Sequence, residues 1–377
     1  MNILLVTEFF PDIENPIFSG GVETRIYYTA IHLAKKHKVT VLARKKSSQT
    51  NLQSKGNLKI HHLGSPISQS SATLNSIFSR LQFITLAIKK SKSINIDIVE
   101  GSNFVSMIPA FIIGKTKKIP QISWYPDVLI GHWTKQFGPI LGLIGEATER
   151  ILTKLPWDHY ITISEAAQER LQKTNITKEK ISVIPCGIEK NKSKQIQKKS
   201  QLLIVSRLVP YKRVDWAIKL LKNLKKPKLN LVIVGAGPEE EKLKQLTTTF
   251  RLNKRVKFLK NISQTKKKQL LCESTLLLHP SLIEGFGIVL VEAAANGTPF
   301  IASDIPTSIA LKKSLNSGLT FKQGSMEDFT IRTKKLLKDK KLWNKLSTSG
   351  ITNSKKYEWE KLAEKTESIY EKILKKY

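Results

Sequence analysis

The residue types between Glu284 and Glu292 (EGFGIVLVE) are those of a phosphate site more than of a catalytic carboxylate pair. Gly285 and Gly287 would let backbone amides approach a ligand closely. The helical pattern that begins at Ile288 would present unpaired N–H groups and the positive end of a helix dipole. The two carboxylates alone mean little, since about two pairs with this spacing arise by chance. The segment predicts a seat for a diphosphate.

Two cations upstream would neutralise such a group. Arg207 and Lys212 lie in the segment 206–213 (SRLVPYKR), directly after an apolar run typical of a strand. Arginine offers a planar, bidentate fork and lysine a mobile point charge, which together suit a nucleotide diphosphate leaving group. In a chain so rich in lysine, a solvated loop is the alternative interpretation of this segment.

Two other glycine turns precede helical patterns. Gly20 and Gly21 stand before a helix that begins near Val22, and they would contact a phosphate or the second substrate; an ordinary turn is the alternative. The turn at 234–238 (VGAGP) matches a dinucleotide fingerprint only in part, because a glutamate replaces its third glycine. Further acids open the following helix and would repel a pyrophosphate, so we exclude a dinucleotide site there.

Alternating strand-like and helix-like segments surround these motifs. Helical patterns, as at 78–89 and 143–155, separate short apolar runs rich in β-formers. The apolar runs lie at 2–6, 39–43, 96–100, 121–124, 160–163, 202–206, 229–234, 256–258, 276–279 and 300–302. This alternation predicts an α/β fold of two Rossmann-like, doubly wound domains with parallel sheets. Such domains would face a central cleft, where ligands bind at the carboxyl ends of strands.

A polar, highly charged stretch separates the two halves. Residues 190–200 (KNKSKQIQKKS) contain few apolar side chains, as is usual for an exposed linker. We therefore predict one Rossmann-like domain at 1–190, a linker at 191–200, a second Rossmann-like domain at 201–355, and a helix at 356–377 that packs back on the first domain.

Length and composition limit the class of protein. The chain has 377 residues, 40% hydrophobic and 25% charged, which suits two soluble domains of ordinary size. Cys186 and Cys272 lie far apart without metal-ligand spacing around them, so we expect neither a disulfide framework nor a metal site. The first residues predict a strand rather than a signal peptide, and apolar runs fall short of the roughly 20 residues of a membrane span. We expect a cytoplasmic protein.

The net charge of +33 is abnormal and indicates an anionic partner, unless it reflects general lysine usage. An apolar helical stretch at 77–92 ends in a basic tail, and Lys115, Lys117 and Lys118 follow a second apolar run. These features predict peripheral docking on an anionic membrane surface, the inner face of the cell membrane, by interfacial burial and lysine attraction. A core helix with a snorkelling basic end is the alternative.

Five ordered motifs, spread over nearly the whole chain, resemble those of the family 4 retaining glycosyltransferases of the GT-B fold. The motifs are Gly20-Gly21-Val22-Glu23, Ile184-Pro185-Cys186-Gly187-Ile188-Glu189, Ser206-Arg207 with Lys212, Val234-Gly235-Ala236-Gly237-Pro238, and Glu284-Gly285-Phe286-Gly287 to Glu292. The resemblance implies a hexosyltransferase of polysaccharide or glycolipid biosynthesis. Its domain at 1–190 would bind a glycan or lipid-linked acceptor, and its domain at 201–355 would bind the sugar nucleotide.

The resemblance also implies how the donor, a UDP- or GDP-sugar, is held. Arg207 and Lys212 would neutralise its diphosphate, and Gly20 and Gly21 would contact it from the first domain. Transfer would keep the anomeric configuration, by front-face attack beside the departing phosphate. Neither a divalent metal nor any other cofactor would be needed.

The remaining donor contacts that the resemblance implies lie in the glycine loop and the helix after it. Glu284 would face the transferred sugar, and Glu292 would hydrogen-bond the ribose hydroxyls. Gly285 and the backbone amides of Phe286, Gly287 and Ile288 would hold sugar and phosphate. The loop at 257–262 would receive the base, largely through main-chain groups.

The sequence departs from the family pattern on the acceptor side. Family members often carry a histidine after a strand in a setting like 123–127 (SWYPD), and this segment has none. Tyr125, Asp127 or His132 would take its place, and the sequence does not choose among them. Asp127 would orient or deprotonate an incoming hydroxyl at neutral pH. The alternative is that it caps a turn after Pro126.

Three other functions compete with this interpretation. A glycosidase is excluded, because two carboxylates eight residues apart on a helix are separated by up to about 12 Å, beyond the roughly 5 to 9.5 Å that such enzymes need. A GT-B epimerase or phosphorylase would share the donor site, and remains an alternative. A nucleic-acid-binding protein would explain the charge, but no aromatic residues are interleaved with the basic runs, so we expect no nucleic-acid partner.

Overall fold

The computed structural model describes residues 1–14, 16–18, 20–46, 49–67, 74–134, 138–190 and 197–377. The chain divides into two compact units, Met1–Gly187 with Trp359–Tyr377, and Ile188–Glu358. Residues 191–196 of the predicted linker and Ser19, which precedes the first glycine motif, lie outside the described residues.

A largely parallel sheet forms the centre of the first unit. In the described residues it has eight strands, in the order β3-β4-β2-β1-β5-β6-β7-β8. They are β1 (Asn2–Thr7), β2 (Lys38–Lys46), β3 (Leu52–Lys55), β4 (Leu58–Ile67), β5 (Ile98–Ser102), β6 (Gln121–Trp124), β7 (His159–Thr162) and β8 (Ile181–Val183). The five strands predicted for this half are confirmed. The antiparallel β3, largely exposed and partly polar, carries no such signal in the sequence.

Helices cover this sheet. They are α1 (Gly21–Leu33), α2 (Leu74–Ser91), α3 (Phe104–Lys117), α4 (Pro139–Lys154), α5 (Glu165–Gln172) and a terminal helix, Trp359–Leu374. Helices α2, α3 and α4 pack side by side, and Phe83 of α2 and Met107 of α3 enter the buried core. The terminal helix packs on α1, where the rings of Trp359 and Tyr28 stack with centroids 5.3 Å apart.

A buried ion pair fixes α1 to the sheet. The guanidinium of Arg25 binds the carboxylate of Glu100 on β5, with one Nη2–Oε2 distance of 3.1 Å, and lies over the Trp124 ring. Burial raises the pKa of Tyr370, so its hydroxyl stays protonated and donates to Glu100 Oε2 at 2.7 Å. The start of α1, at Gly21, is therefore anchored by both β5 and the terminal helix.

The second unit has a parallel sheet of six strands in its described residues, in the order β11-β10-β9-β12-β13-β14. They are β9 (Gln201–Val205), β10 (Asn230–Val234), β11 (Val256–Leu259), β12 (Leu276–His279), β13 (Phe300–Ser303) and β14 (Gly318–Phe321). This is the doubly wound Rossmann order, in which the direction of winding reverses between the first and fourth strands of the unit. Those strands are β9 and β12, and they are neighbours.

Helices connect these strands and bury a second core. They are α6 (Val214–Asn223), α7 (Glu240–Thr249), α8 (Gln264–Glu273), α9 (Ile288–Ala295), α10 (Pro306–Leu315), α11 (Met326–Lys338) and α12 (Lys340–Ser354). Phe321 and Phe329 stack with ring centroids 4.4 Å apart, and Trp216 packs beside them. Both units are thus Rossmann-like α/β domains, as predicted.

Candidate functional site

The predicted diphosphate residues follow the two strands at which the second sheet reverses. The segment with Arg207 and Lys212 begins directly after β9, and the glycine loop at 280–287 begins directly after β12. Leu202 and Leu203 of β9 pair with Leu276 and Leu277 of β12, so both loops leave the same edge of the sheet side by side. Ligands of doubly wound sheets bind in the crevice outside this point.

Glu284 lies between two basic side chains. Lys212 Nζ is 2.5 Å from Glu284 Oε2, and His279 Nε2 is 3.3 Å from the same oxygen, in ion-pair range but outside hydrogen-bond geometry. Burial opposes ionisation of Glu284, but the neighbouring His279 and Lys212 lower the pKa of its carboxyl group to about 2. Glu284 is therefore an anion at neutral pH. Its carboxylate partly neutralises the ammonium charge of Lys212.

Backbone contacts hold the two loops together. The Leu282 N–H donates to the Tyr211 carbonyl oxygen at 2.8 Å, which joins the glycine loop to the Lys212 segment. From α10, the Thr307 hydroxyl donates to the carbonyl oxygen of Glu284 at 3.3 Å. The contact between Lys212 and Glu284 is thus set by the backbone as well as by charge.

Arg207 is exposed and held by a neighbour. Its Nη2 atom donates to the Tyr211 hydroxyl at 2.5 Å, and its guanidinium lies 6.0 Å from the centroid of that ring. The guanidinium charge of Arg207 is therefore held beside Tyr211, within the segment 206–213. It faces solvent, where an anionic ligand can reach it.

The turn at 234–238 packs against the backbone of the segment 206–213. The Leu208 N–H donates to the Ala236 carbonyl oxygen at 2.9 Å. A Cβ at Gly235 would lie 1.8 Å from the Ser206 carbonyl oxygen, and one at Gly237 would lie 2.3 Å from that of Leu208. Both glycines are thus required for backbone packing, which accounts for them without a dinucleotide.

The glycine loop runs directly into the start of α9. Gly287 has φ +83°, a left-handed conformation that favours glycine, and α9 begins at the next residue. The first N–H groups of a helix, here those of Ile288 and Val289, have no acceptor within the helix. Phe286 is buried and packs near Tyr357, with ring centroids 6.1 Å apart. The predicted amide group therefore lies at a helix start.

Glu292 is paired in this structure. It lies on α9, and Lys267 Nζ of α8 is 2.6 Å from its Oε1 atom. The two side chains are similarly exposed, at 22% for Lys267 and 21% for Glu292. The carboxylate is thus accessible, but a ligand hydroxyl would share it with Lys267.

The Gly20–Gly21 pair lies at the start of α1 in the first unit, with Gly20 as the N-cap residue. Gly20 has φ −178°, an extended conformation open to any residue. Among the described residues, no atom lies within 4 Å of a Cβ built at either glycine. Neither the backbone conformation nor packing requires glycine there, so the bare backbone is available for close contact with a ligand.

The three acceptor-side candidates differ in burial. Tyr125 is fully buried and donates its hydroxyl to Glu149 Oε1 at 2.6 Å; burial and this carboxylate raise its pKa. A side chain without exposed surface cannot contact an acceptor, so we correct the prediction for Tyr125: in this structure it is a core residue.

Asp127 and His132 differ from Tyr125 in their exposure. Asp127 Oδ1 lies 2.6 Å from Arg170 Nη2 and accepts a hydrogen bond from the Val128 N–H at 2.8 Å. This second contact is the turn-capping one that the sequence offered as the alternative. His132 is exposed. Both remain predictions for the acceptor side.

Two family models match this chain. "Glycosyl transferases group 1" matches residues 187–353, and "Glycosyltransferase Family 4" matches residues 19–192. The chain belongs to the group 1 glycosyltransferases. Its predicted transferase class is thereby confirmed.

Curated relatives of this glycosyltransferase include enzymes with different named acceptors. The phosphatidylinositol N-acetylglucosaminyltransferase GPI3 subunit of Saccharomyces cerevisiae is 24% identical over 99% of this chain and 83% of its own length. The O-antigen chain mannosyltransferase RfbU of Salmonella typhimurium is 38% identical, over 39% of this chain and 42% of its own.

Solved structures confirm the GT-B fold. Sucrose-phosphate synthase from Thermosynechococcus elongatus matches with a TM-score of 0.80 and 17% identity over 100% of both chains. The Anabaena HepE structure in complex with UDP matches with a TM-score of 0.75 and 17% identity, over 99% of this chain and 100% of that one.

Three residues that the sequence did not single out contact the predicted donor-binding residues. His279 and Tyr211 contact Glu284 and Arg207, and Lys267 contacts Glu292. His279 carries a signal in the sequence, because it ends a strand just before the glycine loop. Lys267 carries none, since it lies in a run of three lysines on a different helix.

Proposed function

We propose that this glycosyltransferase is a retaining enzyme that moves a sugar from a UDP- or GDP-sugar to a glycan or lipid-linked acceptor, without a divalent metal. The observation that carries this proposal is the contact of Lys212 and His279 with Glu284, beside the start of α9. Cations, an anion and helix amides then meet where a doubly wound sheet binds its ligand. The UDP in the HepE structure supports the donor class.

The donor diphosphate would be held by charge and by amides. Lys212 and Arg207 would pair with its oxygens, and the N–H groups at Gly287 and Ile288 would donate to them. A diphosphate competes with Glu284 for Lys212, because both are anions within reach of one ammonium group. Binding of the donor would thus leave the Glu284 carboxylate facing the sugar.

Transfer with retention follows if the acceptor hydroxyl attacks from the side of the leaving phosphate. The bond from the anomeric carbon to the phosphate oxygen breaks as the bond to the acceptor oxygen forms. The departing phosphate oxygen takes the acceptor proton. Lys212 and Arg207 would stabilise the developing negative charge, which is the task of a metal ion in other transferases.

The donor proposal is tested by ligand-induced thermal stabilisation with UDP-, GDP- and ADP-sugars. We expect stabilisation by UDP- or GDP-sugars and about tenfold weaker binding to Glu292→Ala, since hydrogen bonds to charged groups contribute roughly 1.5 to 3 kcal/mol. Glu327→Ala, which removes an exposed acid of α11, should bind like the wild type. Absence of a shift with every donor would refute the proposed donor class.

Mechanism and metal requirement are tested on the product. We expect the donor's anomeric configuration in the product by NMR, and unchanged turnover in EDTA. An inverted product would exclude retention, and activity restored only by added Mg²⁺ or Mn²⁺ would exclude metal independence. Incubation without acceptor tests the alternative of an epimerase, because rapid formation of an epimerised sugar nucleotide would contradict transfer as the reaction.

We propose the cytoplasm as the site of action, with the acceptor presented at the inner face of the cell membrane. The names of two relatives, which contain phosphatidylinositol and O-antigen, support an acceptor of this kind. Fractionation of cells that express the tagged protein would place it, and recovery outside the cytoplasmic membrane and cytosol would contradict this proposal.

A further inference from the structure

The outer face of α4 is apolar. Its exposed side chains recur at helical spacing, so they line one side of the helix, opposite to the buried Gly142 and Leu152. Their exposed fractions are 75% for Ile140, 64% for Leu143, 54% for Ile144 and 62% for Ile151. A surface helix normally turns polar residues outward, so this face indicates a contact outside the unit.

The neighbouring helices continue this apolar surface. Phe78 and Leu81 of α2 are 72% and 57% exposed, and Ile112 of α3 is 36% exposed. Because α2, α3 and α4 pack side by side, the patch extends over three adjacent helices. We name it the α2–α4 surface, with Phe78, Leu81, Ile112, Ile140, Leu143, Ile144 and Ile151 as its members.

The charge around the α2–α4 surface is positive. Helices α2 and α3 contain no acidic residue, and the last turns of all three helices are basic. These cations are Lys89, Lys90, Lys115, Lys117 and Lys154. Of the two acids on α4, Glu146 pairs with Arg150 at 2.7 Å and Glu149 is buried.

The basic ends lie at one edge of the unit. Strands β4, β5, β6 and β7 run parallel, so the helices that connect them run in one common direction, opposite to the strands. The lysines at their ends therefore form a basic rim. An apolar face with a basic rim is complementary to an anionic interface, where acyl chains meet negative headgroups.

We propose that the α2–α4 surface docks on an anionic lipid bilayer, with α4 as its centre. The sequence indicated docking through 77–92 and the lysines at 115–118; Phe83 and Ala87 of α2 are buried instead, and α4 presents more apolar surface. No helix in the described part of the chain is long and apolar enough to cross a membrane. The proposal refines the acceptor side of the proposed function, because a lipid-linked acceptor would be presented at this surface.

The apolar contribution is tested by co-sedimentation with vesicles of equal parts phosphatidylcholine and phosphatidylglycerol, without donor. The triple substitution Ile140→Ser, Leu143→Ser and Ile144→Ser should lower the partition coefficient at least about tenfold, since apolar burial drives interfacial binding. The matched control is Leu52→Ser with Ile331→Ser, two exposed apolar residues outside the surface that are 54% and 53% exposed. The control should bind like the wild type.

The charge contribution is tested in the same assay. Replacing Lys89, Lys115 and Lys154 by Gln should weaken binding by roughly fivefold for each removed charge. Replacing the exposed Lys334, Lys338 and Lys345 of the second unit by Gln should change it much less. Pure phosphatidylcholine vesicles should bind weakly. If both triple lysine variants lost vesicle binding to the same extent, the assignment of the basic rim would be overturned.

Three outcomes would overturn the docking proposal. They are equal binding with and without phosphatidylglycerol, unchanged binding of the α4 variant, and a dimer that the α4 substitutions dissociate in sedimentation velocity. The last would identify a second copy of this chain as the occupant. Because vesicle binding needs no donor, failure here leaves donor-induced stabilisation intact, and failure of the donor proposal leaves vesicle binding intact. Thermal melting and turnover with a water-soluble acceptor show that the variants are folded.

Discussion

Alanine at position 212 should lower kcat by a factor of about 100 to 1,000, the usual cost of removing one preorganised group that stabilises transition-state charge. Lys212 Nζ lies 2.5 Å from Glu284 at the edge where the two loops meet, and we propose that it moves its charge to the departing diphosphate. Steady-state kinetics with saturating donor measures this loss. Lys219→Ala is the matched control, since that lysine of α6 pairs with Asp215 and not with Glu284.

Nucleotide affinities separate a diphosphate contact from a general disturbance. Lys212→Ala should weaken binding of the nucleoside diphosphate by roughly tenfold and leave the monophosphate nearly unchanged, because only the second phosphate would reach Lys212. The substitution also leaves Glu284 without its cation. The double variant Lys212→Ala with Glu284→Gln removes that unpaired charge, so nucleoside diphosphate affinity restored to the wild-type value in it would refute a direct contact of Lys212 with the diphosphate.

The sequence predicted that the Arg207–Lys212 loop and the glycine loop follow strands of one sheet, because these signals are local. Parallel sheets place the residues that follow neighbouring strands at one edge, so Arg207 after β9 and the glycine loop after β12 had to lie close together. Glycine spacing before a helical pattern likewise predicted the helix start at Ile288. The first inference also needs β9 and β12 to be neighbours in the sheet, which follows from the Rossmann order of a doubly wound domain.

The partners of these residues depend on packing and were not predictable. Lys267 reaches Glu292 from another helix, and nothing in its run of lysines distinguishes it. Tyr125 was a candidate because it lies where the family pattern places a histidine after a strand, but its burial depends on how α4 places Glu149 over it. A strand-end position therefore predicts the edge of the sheet, and not whether the side chain faces solvent.

The exposed face of α4 is the converse case, in which apolar residues expected in the core lie on the surface. Ile140, Leu143 and Ile144 form an apolar run that is typical of a core segment. Their exposure follows from the burial of Gly142 and Glu149, which turns the opposite side of the helix inward. A buried glutamate on an apolar helix is difficult to predict from periodicity, since glutamate is almost never fully buried unless it is paired.

Replacing Glu284 by glutamine should lower kcat by about 100-fold while leaving nucleoside diphosphate binding unchanged or tighter. The neutral amide keeps the size of the side chain but removes the negative charge that we propose faces the sugar as positive charge develops there. At the same time Lys212 loses the anion that competes with the diphosphate. Calorimetric titration of the diphosphate and single-turnover kinetics measure the two effects. Weaker binding with unchanged kcat would contradict this division of roles.

The pH dependence of a His279→Gln variant tests how Glu284 is kept ionised. In the wild type the pKa of Glu284 is about 2, so its protonation should cost no activity until the pH approaches that value. Removing His279 should raise this pKa toward its ordinary value of 4.5, and activity should then fall at a higher pH as the solution is acidified. A purely structural role for His279 would lower kcat/KM equally at every pH. A shifted acid limb would instead mean that His279 acts by positioning Glu284 and keeping it ionised, and the same shift should appear in Lys212→Met, which removes the neighbouring ammonium group.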